Sequence, residues 1–170
     1  MFYKMIENKC KEWYSSDQCT VRNLIEYIEK TGQMRDAQIE AIKVYLFLKI
    51  GCECKPLEFL FRYGCFNSIN LNDIELSTAT REYLEENPAA TALFEYSRLT
   101  NDKGEQVSEK LEKQIKKDPS SIDYDAFFRT AFYGVSYTDY LFSLPMGAGK
   151  TYLMAAFIYI DLYFALNEPT

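Results

Sequence analysis

The sequence contains no histidine. That single absence removes the commonest acid–base side chain and the commonest zinc ligand together, so any chemistry has to rest on other groups. A signal-like start is also missing, because residues 1–13 interleave Lys4, Glu7, Lys9, Lys11 and Glu12 with their apolar side chains. There is no internal repeat and no low-complexity tract. The apolar run over residues 152–160 continues past Asp161 to Leu166, short of the roughly 20 residues that a membrane span needs. A surplus of positive charge is lacking too: 19 basic against 25 acidic residues give a net charge of -6, which excludes a broad phosphate-backbone surface on these residues.

Cysteine is present but unpatterned. Cys10, Cys19, Cys52, Cys54 and Cys65 are odd in number and irregular in spacing, and they read as reduced thiols of a cytoplasmic protein. Only Cys52-Glu53-Cys54 with Cys65 approaches metal-ligand spacing, and a zinc site there would need Cys10 or Cys19 as a fourth ligand. Cysteines without a metal role are the expectation.

A chain of 170 residues suits one domain, or a small domain plus a piece of another. With 48% hydrophobic residues it can bury a core, and 14 Tyr and 12 Phe make much of that core ring packing, in which tyrosine hydroxyls need partners. The periodicity predicts helices over residues 1–14, from a Thr20 cap to 30, and over 34–50, where Ile39, Ile42 and Leu46 with Ala41, Val44 and Leu48 form a wide apolar face. Thr31-Gly32 and Gly51 are the expected stops. Further helices are expected over 56–63, 78–86, 91–99, 105–117 and 124–132, with a polar turn region at 64–72, a brief extended segment at 73–76, and breaks at Asn87-Pro88, at 101–104 and at 118–121. The helix over 105–117 is charged, with Val107, Leu111 and Ile115 inward and glutamate–lysine pairs outward as a solvated face.

The chemistry-bearing stretch lies near the end: Leu144-Pro145-Met146-Gly147-Ala148-Gly149-Lys150-Thr151. Residues 140–144 read as a short buried strand, Pro145 ends it, and 152–165 reads as a helix. Between them, Gly147 and Gly149 allow left-handed or crowded backbone, so that successive N–H groups can close around phosphate oxygens. The helix that follows would aim its free N–H groups and positive dipole end at the same anion. Lys150 would supply a point charge to the terminal phosphates, and the Thr151 hydroxyl would be a ligand for their magnesium ion. These two are the candidate catalytic residues, and Pro145 through Thr151 the candidate nucleotide-binding loop.

This loop resembles motif I of the superfamily 2 DEAD/DEAH-box helicases, in which Pro-x-Gly-x-Gly-Lys-Thr follows a strand and the leading glycine is commonly absent, as at Leu144. Residues 34–42, with Arg35, Gln38, Ala41 and Ile42, resemble the Arg-x-x-Gln-x-x-Ala-Ile segment that lies ahead of that motif. A glutamine amide offers a donor and an acceptor together and can pair with the N6 and N7 edge of adenine. The resemblance implies an ATP-driven helicase or translocase acting on nucleic acid, most like the helicase subunits of type III restriction systems. It implies ATP and magnesium as cofactors, Gln38 on adenine with Arg35 in support, and as partners nucleic acid, with DNA favoured and bound mainly through a longer parent protein, and a methyltransferase or nuclease subunit.

In most relatives a short connector joins the two motifs, whereas about a hundred residues intervene here, which implies an inserted helical subdomain. After Thr151 come one helix and residues 167–170, with no acidic motif to orient water; Glu85, Glu86 and Glu168 do not end an apolar strand. The chain therefore resembles an N-terminal fragment that is not expected to hydrolyse ATP alone.

The expected fold is mainly α: N-terminal helices (residues 1–32), a glutamine-motif helix (33–51), a helical insertion (52–138) and the first strand, P-loop and helix of an incomplete α/β RecA-like domain (139–170). In a complete domain that last helix would lie buried between a sheet and other layers. Without its sheet neighbours it is expected to be partly uncovered and to promote association. Two other readings stay open, a different P-loop ATPase or kinase and a helical interaction module with an inactive loop.

Overall fold

Residues 2–133, 142 and 147–167 are described by the computed structural model, and among them the regular structure is α-helical with no β-strand. The helices are α1 (Phe2–Ser15), α2 (Arg22–Gly32), α3 (Asp36–Leu46), α4 (Leu57–Arg62), α5 (Thr78–Glu86), α6 (Pro88–Arg98), α7 (Glu109–Lys117), α8 (Tyr124–Ala131) and α9 (Lys150–Asn167). They group into two compact units, residues 10–53 with 140–170, and residues 1–9 with 54–139. The strand expected over 140–144 lies outside the described residues except for Phe142.

The first of these units carries the loop. In it, Cys10 and Trp13 of α1 are buried, as are Ile25 and Ile28 of α2 and Ile39, Ile42 and Leu46 of α3. This is the three-and-four spacing that gives a helix an apolar face. Arg22 donates to the backbone oxygens of Tyr14 (3.1 Å) and Ser16 (2.7 Å), satisfying carbonyls that the end of α1 leaves without intrahelical partners. Thr20 does not cap α2 as expected; Val21 holds that position with no side-chain bond, and the Thr20 N–H donates to the Gln18 carbonyl. At the other end α2 runs through Gly32, and Gln33 takes the left-handed position at φ 48°.

The helix expected over 34–50 is split. Past Leu46 the backbone widens into a π-helical turn, Phe47–Gly51, in which the Cys52 N–H reaches back five residues to the Phe47 carbonyl. There Phe47 packs against Trp13 with ring centroids 5.6 Å apart, and a Cβ at position 51 would lie 2.8 Å from the Phe47 ring and 3.1 Å from Trp13 Nε1. Gly51 is thus required by close approach of two rings.

Against α3 lies α9, which buries one stripe, Leu153, Ala156 and Ile160, and exposes Tyr152, Met154, Ile158, Leu162 and Leu166. The partly uncovered state is therefore the one found. Tyr45 and Phe157 pack at 4.5 Å and Phe142 and Phe157 at 5.1 Å. One turn on, Tyr45 Oη (2.6 Å) and Lys49 Nζ (2.8 Å) both donate to Asp161 Oδ1. No helix among the described residues is long and apolar enough to cross a membrane.

The second unit is built on rings. Phe61, Phe66 and Phe128 are fully buried, Phe2 stacks on Tyr96 at 4.0 Å, and Phe61 stacks on Phe132 at 5.2 Å. Glu95 is buried there with its carboxylate accepting from the Ser68 N–H (2.9 Å), the Ser68 hydroxyl (2.6 Å) and the Ile69 N–H (3.1 Å). Those charge-assisted bonds tie down the polar turn region.

The charged helix begins at Glu109, four residues later than expected. Residues 99–107 instead fold back on themselves: Asn101 Oδ1 accepts from Lys103 and Glu105, Thr100 bridges to Gln106, and Val107 donates to Leu99. Ser108 then caps α7 by accepting from Leu111. Glu112, expected on a solvated face, accepts from Arg98, from Gln106 Nε2 (2.6 Å) and from Lys116 (2.9 Å). The α6 start also moves, to Pro88, because a proline at the first helical position loses no hydrogen bond.

Burial alone would raise the Asp161 carboxyl, but the bonds from Lys49 and Tyr45 outweigh it and hold it below the usual carboxylate range. A lowered folded value means that the ionised group stabilises the fold above its unfolded value near about 4, and that this contribution fades as pH falls through the folded value. Asp161→Asn is therefore expected to lower stability to urea by no more than about 1 kcal/mol at pH 7, since the carboxylate is half-exposed, with the gap closing as the pH is lowered through the folded carboxyl's titration.

Candidate nucleotide-phosphate site

The start of α3 and the glycine loop meet, although they are more than a hundred residues apart. Arg35 occupies the N-cap of α3 with extended backbone (φ -79°, ψ 156°), and Gln38 is the third helical residue. Gln38 Oε1 accepts from the Arg35 N–H at 2.8 Å, one half of a capping box, and the Gln38 N–H donates to the Arg35 carbonyl at 2.8 Å. The same two side chains reach the loop. Arg35 Nη1 donates to the Gly147 oxygen at 2.5 Å, and Gln38 Nε2 donates to the Gly149 oxygen at 2.8 Å.

Both glycines are in the left-handed region, Gly147 at φ 78° and Gly149 at φ 77°. Around Gly147 a Cβ would meet nothing within 4 Å, whereas at Gly149 it would lie 2.6 Å from Gln38 Nε2. Gly149 is therefore constrained twice, by its backbone angle and by the side chain lying against it.

The direction of the loop follows from these bonds. In a trans peptide the C=O and the next N–H point in opposite directions, and no described peptide is cis. With the Gly147 and Gly149 oxygens held toward Arg35 and Gln38, the N–H groups of Ala148 and Lys150 point away from the start of α3. The first intrahelical bond of α9 runs from the Leu153 N–H to the Gly149 oxygen (3.2 Å), so the N–H groups of Lys150, Thr151 and Tyr152 have no acceptor within the helix. Lys150 and Thr151 are both exposed. Oriented N–H groups, a helix N-terminus, an ammonium and a hydroxyl are a donor set suited to a polyphosphate and its magnesium ion.

Of the residues singled out in the sequence, Arg35, Gln38, Gly147, Ala148, Gly149, Lys150 and Thr151 are brought together by these bonds and by chain adjacency; Leu144, Pro145 and Met146 lie outside the described residues. Gln38 is 4% exposed, and its amide engages the protein through both its oxygen and its nitrogen. That arrangement had only half of a sequence signal, since glutamine at the third position is a capping-box residue but the cap position holds Arg35 in place of serine or threonine. The Tyr45, Lys49 and Asp161 cluster had none, because Asp161 lies more than a hundred residues from the other two. Elsewhere, Cys52 is buried and Cys54 and Cys65 are exposed, and among the described residues no three cysteine, aspartate or glutamate side chains converge to hold a metal ion. Comparison with protein-family models, with curated proteins and with solved structures yields no match.

The two glycines separate by substitution. Gly147→Ala is expected to cost about 1 kcal/mol of unfolding free energy from the left-handed backbone alone. Gly149→Ala is expected to cost about 2 kcal/mol or more, because the added methyl also displaces the Gln38 bond. Equal losses for the two in urea unfolding would contradict the geometry.

Proposed function

We propose that this chain provides the phosphate-binding part of an ATP-dependent motor acting on nucleic acid, of the superfamily 2 helicase or translocase kind, with DNA and a restriction or defence setting favoured. The observation that carries the reading is the pair of bonds from Arg35 and Gln38 to the oxygens of Gly147 and Gly149. Two short motifs that the resemblance pairs, and that chance would not be expected to place together, are joined side chain to backbone. Both motifs fall in the unit formed by residues 10–53 with 140–170, while 54–139 group with residues 1–9.

In this reading the N–H groups of Ala148 and Lys150 and the free N–H groups at the start of α9 bind phosphate oxygens. Lys150 would neutralise the terminal phosphates, and the Thr151 hydroxyl would be a ligand for the magnesium ion. Magnesium would supply charge neutralisation at the phosphates. Arg35 and Gln38 hold the loop from behind. No side chain of the set breaks a bond; its members position charge. A cytoplasmic location and a methyltransferase or nuclease subunit as partner belong to the same proposal.

Titration calorimetry of the chain with magnesium and ATP tests the phosphate site. Binding is expected, weakened by at least about tenfold in Lys150→Ala with helical content unchanged. Equal affinity in the variant, or no binding by the unsubstituted chain, would sink the site and favour a helical interaction module. For any longer protein that contains this chain, ATP turnover is expected to rise with DNA. Turnover indifferent to DNA and RNA would favour another P-loop ATPase or kinase.

A further inference from the structure

Gln38 bears on which nucleotides the site takes. Reading adenine requires an amide to present an acceptor and a donor side by side to the N6 and N7 edge of the base. Here the oxygen accepts from the Arg35 N–H and the nitrogen donates to the Gly149 oxygen, both at 2.8 Å, in a side chain that is 4% exposed. One lone pair and one N–H of the amide remain, but they belong to a buried group whose orientation both bonds fix. Turning it toward a base would break the Gln38 bond to the Arg35 N–H and take from the Gly149 oxygen its side-chain partner, leaving it only the Leu153 N–H.

Resting on the phosphate-site reading above, we propose that the site takes nucleoside triphosphates as a class, through their phosphates, without selecting adenine, and that Gln38 is a positioning residue for the loop. A site built to hydrogen-bond one base edge rejects others strongly because its own polar groups are left unpaired, whereas here the amide has one partner within the protein at each end and is held buried by both. The exposed Arg35 guanidinium is fixed at one nitrogen by the Gly147 oxygen, and its planar face suits any base, since every base has a π-face. Gln38 therefore acts on all ligands equally, through the place it gives to Gly149.

The test is competition binding on the 170-residue chain with magnesium and ATP, GTP, CTP, UTP and inorganic tripolyphosphate. The four nucleotides are expected to agree within about fivefold and tripolyphosphate to compete with all of them. In Gln38→Ala, with helical content checked by circular dichroism, every affinity is expected to fall together by about tenfold. A preference for ATP or any other nucleotide beyond about fivefold, or a Gln38→Ala loss confined to ATP, overturns the class reading while leaving the phosphate site standing. Failure of every ligand to bind overturns the phosphate site, and this proposal with it. The profile of the unsubstituted chain decides even if the variant does not fold.

Discussion

Two carbonyl oxygens, those of Gly147 and Gly149, are the fixed points on which the rest of the site depends. A glycine loop is by nature free to turn either face of its peptides outward, and that freedom would cost ordering entropy on every encounter with a ligand. Holding the oxygens from one side decides the matter in advance, because the planar trans peptide then sends the N–H groups of Ala148 and Lys150 to the other side. The donors are the cap residue and the third residue of a helix, positions whose backbone is already set by the helix itself. Rigid elements thus orient a segment whose own residues have little rigidity.

The second constraint is the seat of α9. Its N-terminus matters only if the helix is held at a fixed angle, and a helix that buries just Leu153, Ala156 and Ile160 has a narrow hold. The ring contact of Tyr45 with Phe157 and the shared acceptance by Asp161 of bonds from Tyr45 and Lys49 add two further points on the same helix, α3 and its π-turn extension. The start and the middle of α9 are therefore tied to one element: the loop end to Arg35 and Gln38, and the middle to Tyr45 and Lys49. A displacement of α3 would move the loop oxygens and the axis of α9 together.

Much of this was legible in the sequence where a local rule decides. The bounds of α5 follow from Ser77 as its cap and Asn87-Pro88 beyond it, and the α3 core face follows from spacing alone. Legibility failed where a side chain could serve two partners. Asn101 could have ended a turn in one residue; it takes the N–H groups of Lys103 and Glu105 instead, and the chain folds back for four residues before α7 starts. Position 20 offered a good capping side chain, but the helix starts one residue later, with Val21 at the cap position and the Thr20 N–H donating to the Gln18 carbonyl. At Gln38 the amide could pair with a base or with backbone, and nothing in residue type or spacing distinguishes the two.

Net charge sharpens the same point. With six more acidic than basic residues, the long-range field of the chain repels an anionic ligand, so attraction has to come from groups at contact. Coulomb terms between exposed charges fade over a Debye length of about 8 Å at physiological salt, whereas oriented N–H groups act within hydrogen-bond distance and are not screened in the same way. Lys150 is one of 19 basic residues set against 25 acidic ones, and alone it is a weak lure. What makes the loop a candidate anion site is that its donors are already aimed, and that aim is set by two side chains, Arg35 and Gln38, on a separate helix.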